Sequence, residues 1–132
     1  MKFQKAEDIW VWVESVNLCE TIFQITEYNR QSWVRDRDLA KHLRRTAISI
    51  PSNIAEGFER GSLADFRRFL YIARGSCSEL RTQLIIADRV NKFPEKKLWD
   101  LKNQCQAISA GIFKLIGYID GRQKKSRKTE MK

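Results

Sequence analysis

Apolar residues recur three and four positions apart in four long stretches of the chain, the seam pattern of helices packed on one another. The first stretch, residues 6–28, runs Ile9, Trp12, Val16, Cys19 and Phe23, and the second, 38–58, runs Ala40, Leu43, Ala47, Ile50 and Ile54. The third, 62–90, runs Phe66, Leu70, Ala73, Cys77, Leu80, Leu84 and Ala87. The fourth, 94–119, runs Leu98, Leu101, Cys105, Ile108, Ile112, Leu115 and Ile119. No window alternates with period two for long enough to make a strand. Ser62, with Asp65 three residues on, has the form of a capping box placed just after Gly61. Pro94 suits a first helical turn, where its missing N–H costs nothing, and Asp36 and Asp38 both suit the cap of the second helix. Pro51 falls inside a strongly periodic stretch, so a kink that frees the carbonyl of Ala47 is expected there, not a helix end. The links after the second and third helices are only a few residues long and force antiparallel neighbours, while the first link, around residues 29–37, is longer. Together these features predict an all-α fold, an antiparallel up-down-up-down four-helix bundle over residues 1–120.

The seams leave apolar residues over. Ile9-Trp10-Val11-Trp12-Val13 is apolar around more than one full turn, and Leu18, Ile22 and Ile25 continue a second stripe from Val11. Phe69, Ile72, Ile86, Trp99, Phe113 and Ile116 also sit off the main seams. A small bundle cannot bury all of these, and large exposed apolar patches mark interaction surfaces. Self-association follows as the expectation, with Trp10, Val11, Ile72, Trp99 and Phe113 at the interface.

Polar residues are patterned as well. Arg45, Ser49, Asn53 and Glu56 line one face of the second helix, and Ser76, Glu79 and Gln83 one face of the third, with Arg74 close by. Gly57 and Gly75 remove side chains where backbones can approach. Guanidinium groups pair with Glu56 or Glu79 while Ser and Asn take the spare bonds, so a structural network shared by the two helices is expected. Such a network fixes helix register and subunit contact at some cost in stability.

The chain has 132 residues, 42% of them apolar, enough for one domain with a real core. No window approaches the roughly 18 apolar residues of a membrane span, and the first residues lack the apolar core of a signal peptide, so a cytoplasmic location and no membrane partner are expected. Cys19, Cys77 and Cys105 form no CxxC pair and each lies on a seam, which reads as reduced core thiols. The formal charge is +9. More than half of it falls in residues 121–132, where Arg122, Lys124, Lys125, Arg127, Lys128 and Lys132 face only Glu130. A basic, disordered tail on a moderately basic body favours a polyanion, most simply nucleic acid. Arg67 and Arg68 on the third helix, and Lys92, Lys96 and Lys97 at the following turn, are the further candidates for phosphate contacts.

The run LRRTAISIPSNIAEGFERGSLADFRRFLYIARGSCSEL resembles the proteins encoded by intervening sequences of bacterial 23S ribosomal RNA genes, sometimes labelled S23 proteins. The likeness is close over the second and third helices and holds for the others in length and pattern. The resemblance implies a small helical bundle, a homopentameric ring, no known enzymatic activity and nucleic-acid binding. The chain is also similar in build to the accessory proteins of diversity-generating retroelements, basic pentameric barrels that engage reverse transcriptase and RNA. The family signature falls on Arg45, Ser49, Asn53, Glu56, Gly57, Arg74, Gly75, Ser76 and Glu79; Thr46, where the family often has alanine, and the very basic tail depart from it.

Catalytic readings fail on the residues. A di-iron bundle needs Glu-x-x-His twice, and the only histidine is His42. Zinc lacks ligands for the same reason. The segment Gly57–Ser62 resembles a phosphate loop only faintly, with no preceding strand and no P-loop lysine. Glu56 and Glu59 have no nucleophile or cofactor pocket beside them. Neither an enzyme nor a cofactor is expected. Two functions remain: an oligomer that binds RNA or DNA through its basic surface and tail, or a protein adaptor, for example for a reverse transcriptase, that docks a partner on Trp10, Trp99 or Phe113.

Overall fold

The computed structural model describes residues 3–27, 31–90, 92 and 95–130. A 3-10 turn, Ala6–Asp8, leads into α1 (Trp10–Ile25), followed by α2 (Gln31–Val34), α3 (Arg37–Glu59), α4 (Leu63–Arg89) and α5 (Glu95–Glu130). No strand occurs among the described residues. α1 packs on α3, α3 on α4, α4 on α5, and α5 on α1, so the four long helices surround one core. On α3, α4 and α5 the predicted seams are the buried ones: Leu43, Ile50, Ile54, Leu70, Leu80, Leu84, Leu101 and Ile108 are among the side chains closed off from solvent. Burial on that scale, at about 1.5–3 kcal/mol per large apolar side chain, is what holds the bundle. Phe69 and Ile116, set aside by the sequence pattern as surplus, also belong to this buried set.

On α1 the seam is the other stripe. Val11, Ser15, Leu18 and Ile22 are buried, whereas Val16 and Phe23 of the predicted seam are exposed and Trp12 and Cys19 are half-buried. Both stripes repeat every three to four residues, so periodicity alone does not choose between them. Ser15 disguises the true one. Its hydroxyl donates to the Trp12 carbonyl at 2.8 Å, which makes its burial tolerable. Val11, expected at an oligomer interface, is instead core, packed where Gly111 of α5 leaves room: a Cβ at Gly111 would stand 2.6 Å from the Val11 Cγ1.

The α3–α4 corner is built from local chemistry. Gly61 takes φ +84°, the left-handed value that ends a helix cheaply. Ser62 then caps α4, its Oγ accepting from the Asp65 backbone N–H at 3.1 Å. Gly57 lets the two backbones close, with Phe69 so near that a Cβ on residue 57 would lie 2.5 Å from its Cβ. Phe58 and Phe66 meet edge-on beside it, ring centroids 5.9 Å apart. At the far end of the pair the Asp36 carboxylate ion-pairs with Lys92, so Asp36 sits at the cap position of α3 without bonding its amides. α3 runs through Pro51 as one helix. Tyr28 and Pro94 lie outside the described residues.

Two elements depart from the predicted chain. The link between α1 and α3 contains the one-turn α2, pinned by Trp33, which is only 1% exposed. Where the sequence pattern placed a disordered basic tail, α5 continues through residues 121–130 to Glu130. The physical reason is propagation. The helix is already nucleated, the added residues are mostly good helix formers with no proline, and each further residue adds a hydrogen bond. Cations at a helix C-terminus also complement its macrodipole.

Candidate nucleic-acid interface

The predicted phosphate contacts fall into two groups, one where Arg67 meets Asp120 of α5 and one where Lys92 meets Asp36. One group gathers where α4 begins. Arg67 Nε donates to Asp120 Oδ1 at 2.6 Å, Arg68 stacks over Phe69 at 4.5 Å and lies 3.7 Å from Asp65. Since Asp120 is level with Arg67, α5 passes the start of α4 about one turn later and then continues alone. Arg122, Lys124, Lys125, Arg127 and Lys128 are all exposed on this overhanging arm, with Arg122 reaching back to the Tyr118 hydroxyl at 3.2 Å. A cleft of about 560 Å³ opens at the same end, walled by Phe3, Phe58, Phe66 and Tyr118 with Arg122 on its lining. The second group is smaller: Lys92, held by Asp36, with Lys96 exposed and Lys97 half-buried at the start of α5. Arg67, Arg68 and Lys92 therefore have acidic partners, whereas the cations of the arm have none among the described residues.

The two polar stripes do not bond to each other. Ser49 Oγ donates to the Thr46 carbonyl at 2.5 Å and Asn53 Nδ2 to the Ser49 carbonyl at 2.7 Å. Glu56 pairs with Arg60 at 3.1 Å, Ser76 Oγ donates to the Ile72 carbonyl at 3.3 Å, and Gln83 Nε2 donates to Glu79 at 3.4 Å. Every one of these bonds stays within its own helix, contrary to the expected network across the pair. Ser and Asn in a helix satisfy themselves on the preceding turn, while Glu56 finds a cation and Glu79 an amide donor four residues on, so none needs the neighbour. Arg74 leaves the stripe altogether and lies over Phe113 of α5 at 4.6 Å. Arg45 is exposed, and a Cβ on Gly75 would meet nothing within 4 Å, so Gly57 alone of the two glycines mediates a close approach inside the chain.

The surplus apolar surface is real. Trp10, Ile72, Trp99 and Phe113 are exposed, Trp99 to 65%. Val13, Val16, Ile86 and Val90 add to it. Arg44, which no pattern in the sequence marks, stabilises the end of α1. Arg44 donates from Nε to the Thr26 hydroxyl at 2.8 Å and from Nη2 to the Phe23 and Thr26 carbonyls at 3.1 Å, occupying orphan acceptors of the last turn.

Burial pushes the thiols of Cys77 and Cys105 up to about 12 and that of Cys19 to about 11. A thiol is nucleophilic only as thiolate, so these side chains are inert packing groups at neutral pH. Among the described residues no cluster of three His, Cys, Asp or Glu side chains is placed to hold a metal. Ellman's reagent at pH 8 is expected to label Cys19 slowly and to reach Cys77 and Cys105 only when urea unfolds the chain. Fast labelling of three thiols in the native protein would contradict this packing.

A family model described as "23S rRNA-intervening sequence protein" matches residues 7–114, from the turn before α1 to the middle of α5. The chain belongs to that family. A crystal structure of a protein of unknown function from the S23 ribosomal protein family of Bacteroides thetaiotaomicron VPI-5482 shares the fold, with a TM-score of 0.75 at 23% identity over 81% of this chain and 95% of that one. No curated protein sequence matches. The family match ends before the overhanging arm, so the basic residues 122–128 lie outside it.

Proposed function

We propose that this member of the 23S rRNA-intervening sequence family is a non-enzymatic, cytoplasmic nucleic-acid-binding protein, with RNA as the preferred partner. The observation that carries the reading is the α5 arm, where Arg122 at its base and Lys124, Lys125, Arg127 and Lys128 beyond it stand exposed, with no ion pair to a carboxylate among the described residues. Phosphate contacts of this kind give affinity and little sequence preference. The aromatic cleft at the base of the arm offers unpaired bases a surface on which to stack, which favours single strands. The exposed apolar residues of α1, α4 and α5 support self-association, and the ring of five implied by the sequence resemblance would present several arms at once and gain affinity by avidity. The reading takes the helices as alternating in direction around the bundle, with α3 bent at Pro51.

Binding of a fluorescent single-stranded RNA is expected to weaken steeply with salt. Removing residues 121–132 is expected to cut affinity roughly tenfold or more near 0.1 M salt and to reduce the log–log salt slope by about 3.5, from five contacts at about 0.7 each. Binding that stays flat with salt, or survives the truncation unchanged, would overturn the mechanism. A second reading, a protein adaptor for a partner such as a reverse transcriptase, draws support from the exposure of Trp99 and Phe113 on α5. That reading predicts partner capture that survives the truncation and fails in Trp99→Ala.

A further inference from the structure

The α4 face turned toward α5 carries arginines at seven-residue intervals: Arg67, Arg74 and Arg81. Seven residues are almost two helical turns, so the three side chains leave α4 in nearly the same direction, about 10 Å apart along the axis. α5 answers with Asp120, Phe113 and Gln106, the same interval in the opposite direction. The first rung is an ion pair at 2.6 Å. The second is Arg74 stacked on Phe113. The third has no charge to meet. Arg81 is half-buried, and its Nε is enclosed without a hydrogen-bond partner.

A polar cavity of about 340 Å³ opens between the second and third rungs, lined by Arg74, Ser78, Arg81, Gln106 and Ser109 above the thiols of Cys77 and Cys105. No carboxylate lines it among the described residues. An enclosed guanidinium N–H with no acceptor is costly. Arg60, Arg67 and Arg68 each avoid that cost with Glu56, Asp120 and Asp65. What the cavity lacks is an anion. It offers two guanidinium groups, two hydroxyls and an amide, more donors than the two oxygens of a carboxylate can accept. A phosphate group accepts from several directions at once, and the arginine fork matches its oxygens in pairs.

We propose that the Arg74–Arg81 cavity between α4 and α5 is a binding site for a phosphate group, with Arg81 as its principal donor and Ser78, Gln106 and Ser109 completing the shell. The site does not rest on the nucleic-acid reading, because the phosphate can be a small free phosphate or ester as well as the backbone of a strand lying in the α4–α5 groove. It also lies several turns from the α5 arm, so the two are separable by mutation.

The test uses the full chain labelled with ¹⁵N-arginine, with inorganic phosphate, a nucleoside monophosphate and a single-stranded oligoribonucleotide as probes at ionic strength held constant with chloride. The Arg81 Nε–H resonance is expected to shift saturably with at least one probe, and Arg81→Gln to weaken that binding at least tenfold. Arg89→Gln, which removes an exposed α4 arginine outside the cavity, is expected to bind as the wild type does. A response to inorganic phosphate or the monophosphate identifies a small ligand, and a response to the oligoribonucleotide alone identifies a backbone phosphate. Arg81→Gln is also expected to melt no lower than wild type in phosphate-free buffer, since it removes an unpaired group. The proposal is overturned if phosphate probes shift Arg81 no more than chloride does, or if Arg81→Gln binds them undiminished. It is likewise overturned if Arg81 responds only after Glu56 or Glu79 is neutralised, which would make a carboxylate of a second copy the true occupant.

Discussion

Gly57→Val is expected to melt about 10 °C or more below the wild-type protein, while Gly117→Ala melts at or slightly above it. Both glycines lie inside long helices, where alanine is favoured over glycine by roughly 0.5–1 kcal/mol. Only their surroundings differ. A Cβ on residue 117 would meet nothing within 4 Å, so the propensity gain stands alone. A Cβ on residue 57 would sit 2.5 Å from the Phe69 Cβ, 3.3 Å from its Cγ and 3.4 Å from the Phe66 Cα. None of these atoms is the mobile end of a long side chain. Relief requires α3 and α4 to move apart, which loosens Phe58 on Phe66 and the Phe69 contact beneath Arg60. Overpacking of this kind costs about 1–3 kcal/mol, occasionally more, and the branched side chain of valine places it at the upper end. At about 3–5 °C per kcal/mol for a domain of this size, the sum gives the stated drop. Thermal melts followed by circular dichroism decide it, and a Gly57→Val protein as stable as wild type would remove the close α3–α4 approach from the account.

Gly57 also marks how much of this fold was readable in the residues. The seams of α3, α4 and α5 are legible because in each of those helices one apolar stripe repeats through the whole length, and the other apolar residues are scattered. The Ser62 cap and the Gly61 turn were legible because both are decided within four residues. The seam of α1 was not. It is apolar on nearly every side, and the serine in the buried stripe made the wrong stripe look better. Trp33 hid in a polar link for a related reason, since a single aromatic has no period. The polar residues of α3 and α4 follow helical spacing, but that spacing leaves their bonding open. Ser49, Asn53 and Ser76 close on their own helix, which sequence spacing permits as readily as a bond to a neighbour. Composition marks the basic residues, and only the packing of α3, α4 and α5 shows which stand together: Arg67 beside Asp120, and Lys92 with Asp36. The interval of Arg67, Arg74 and Arg81 was present in the sequence as well. Its meaning depends on what α5 sets opposite each arginine, and that is a fact of packing.

Leu18→Ala and Val16→Ala separate the two stripes of α1 by their energetics. Leu18 is fully buried in the core, so its truncation leaves a cavity and is expected to cost about 3 kcal/mol, within the 2–5 kcal/mol span of such changes. That is a large share of the 5–15 kcal/mol that ordinarily holds a domain together. Val16, 36% exposed, loses little surface and is expected to stay within about 0.5 kcal/mol of wild type. Urea unfolding measures both, with an unchanged slope showing that the same surface is exposed in each case. The reverse order of effects would mean that α1 is rotated on the bundle by about a third of a turn, with Val16, Cys19 and Phe23 inward. The comparison also reaches the surplus apolar surface. If copies of the chain cover Val16 and Phe23, Val16→Ala will destabilise the protein increasingly as its concentration rises, whereas the Leu18→Ala deficit, arising inside one chain, stays the same at every concentration.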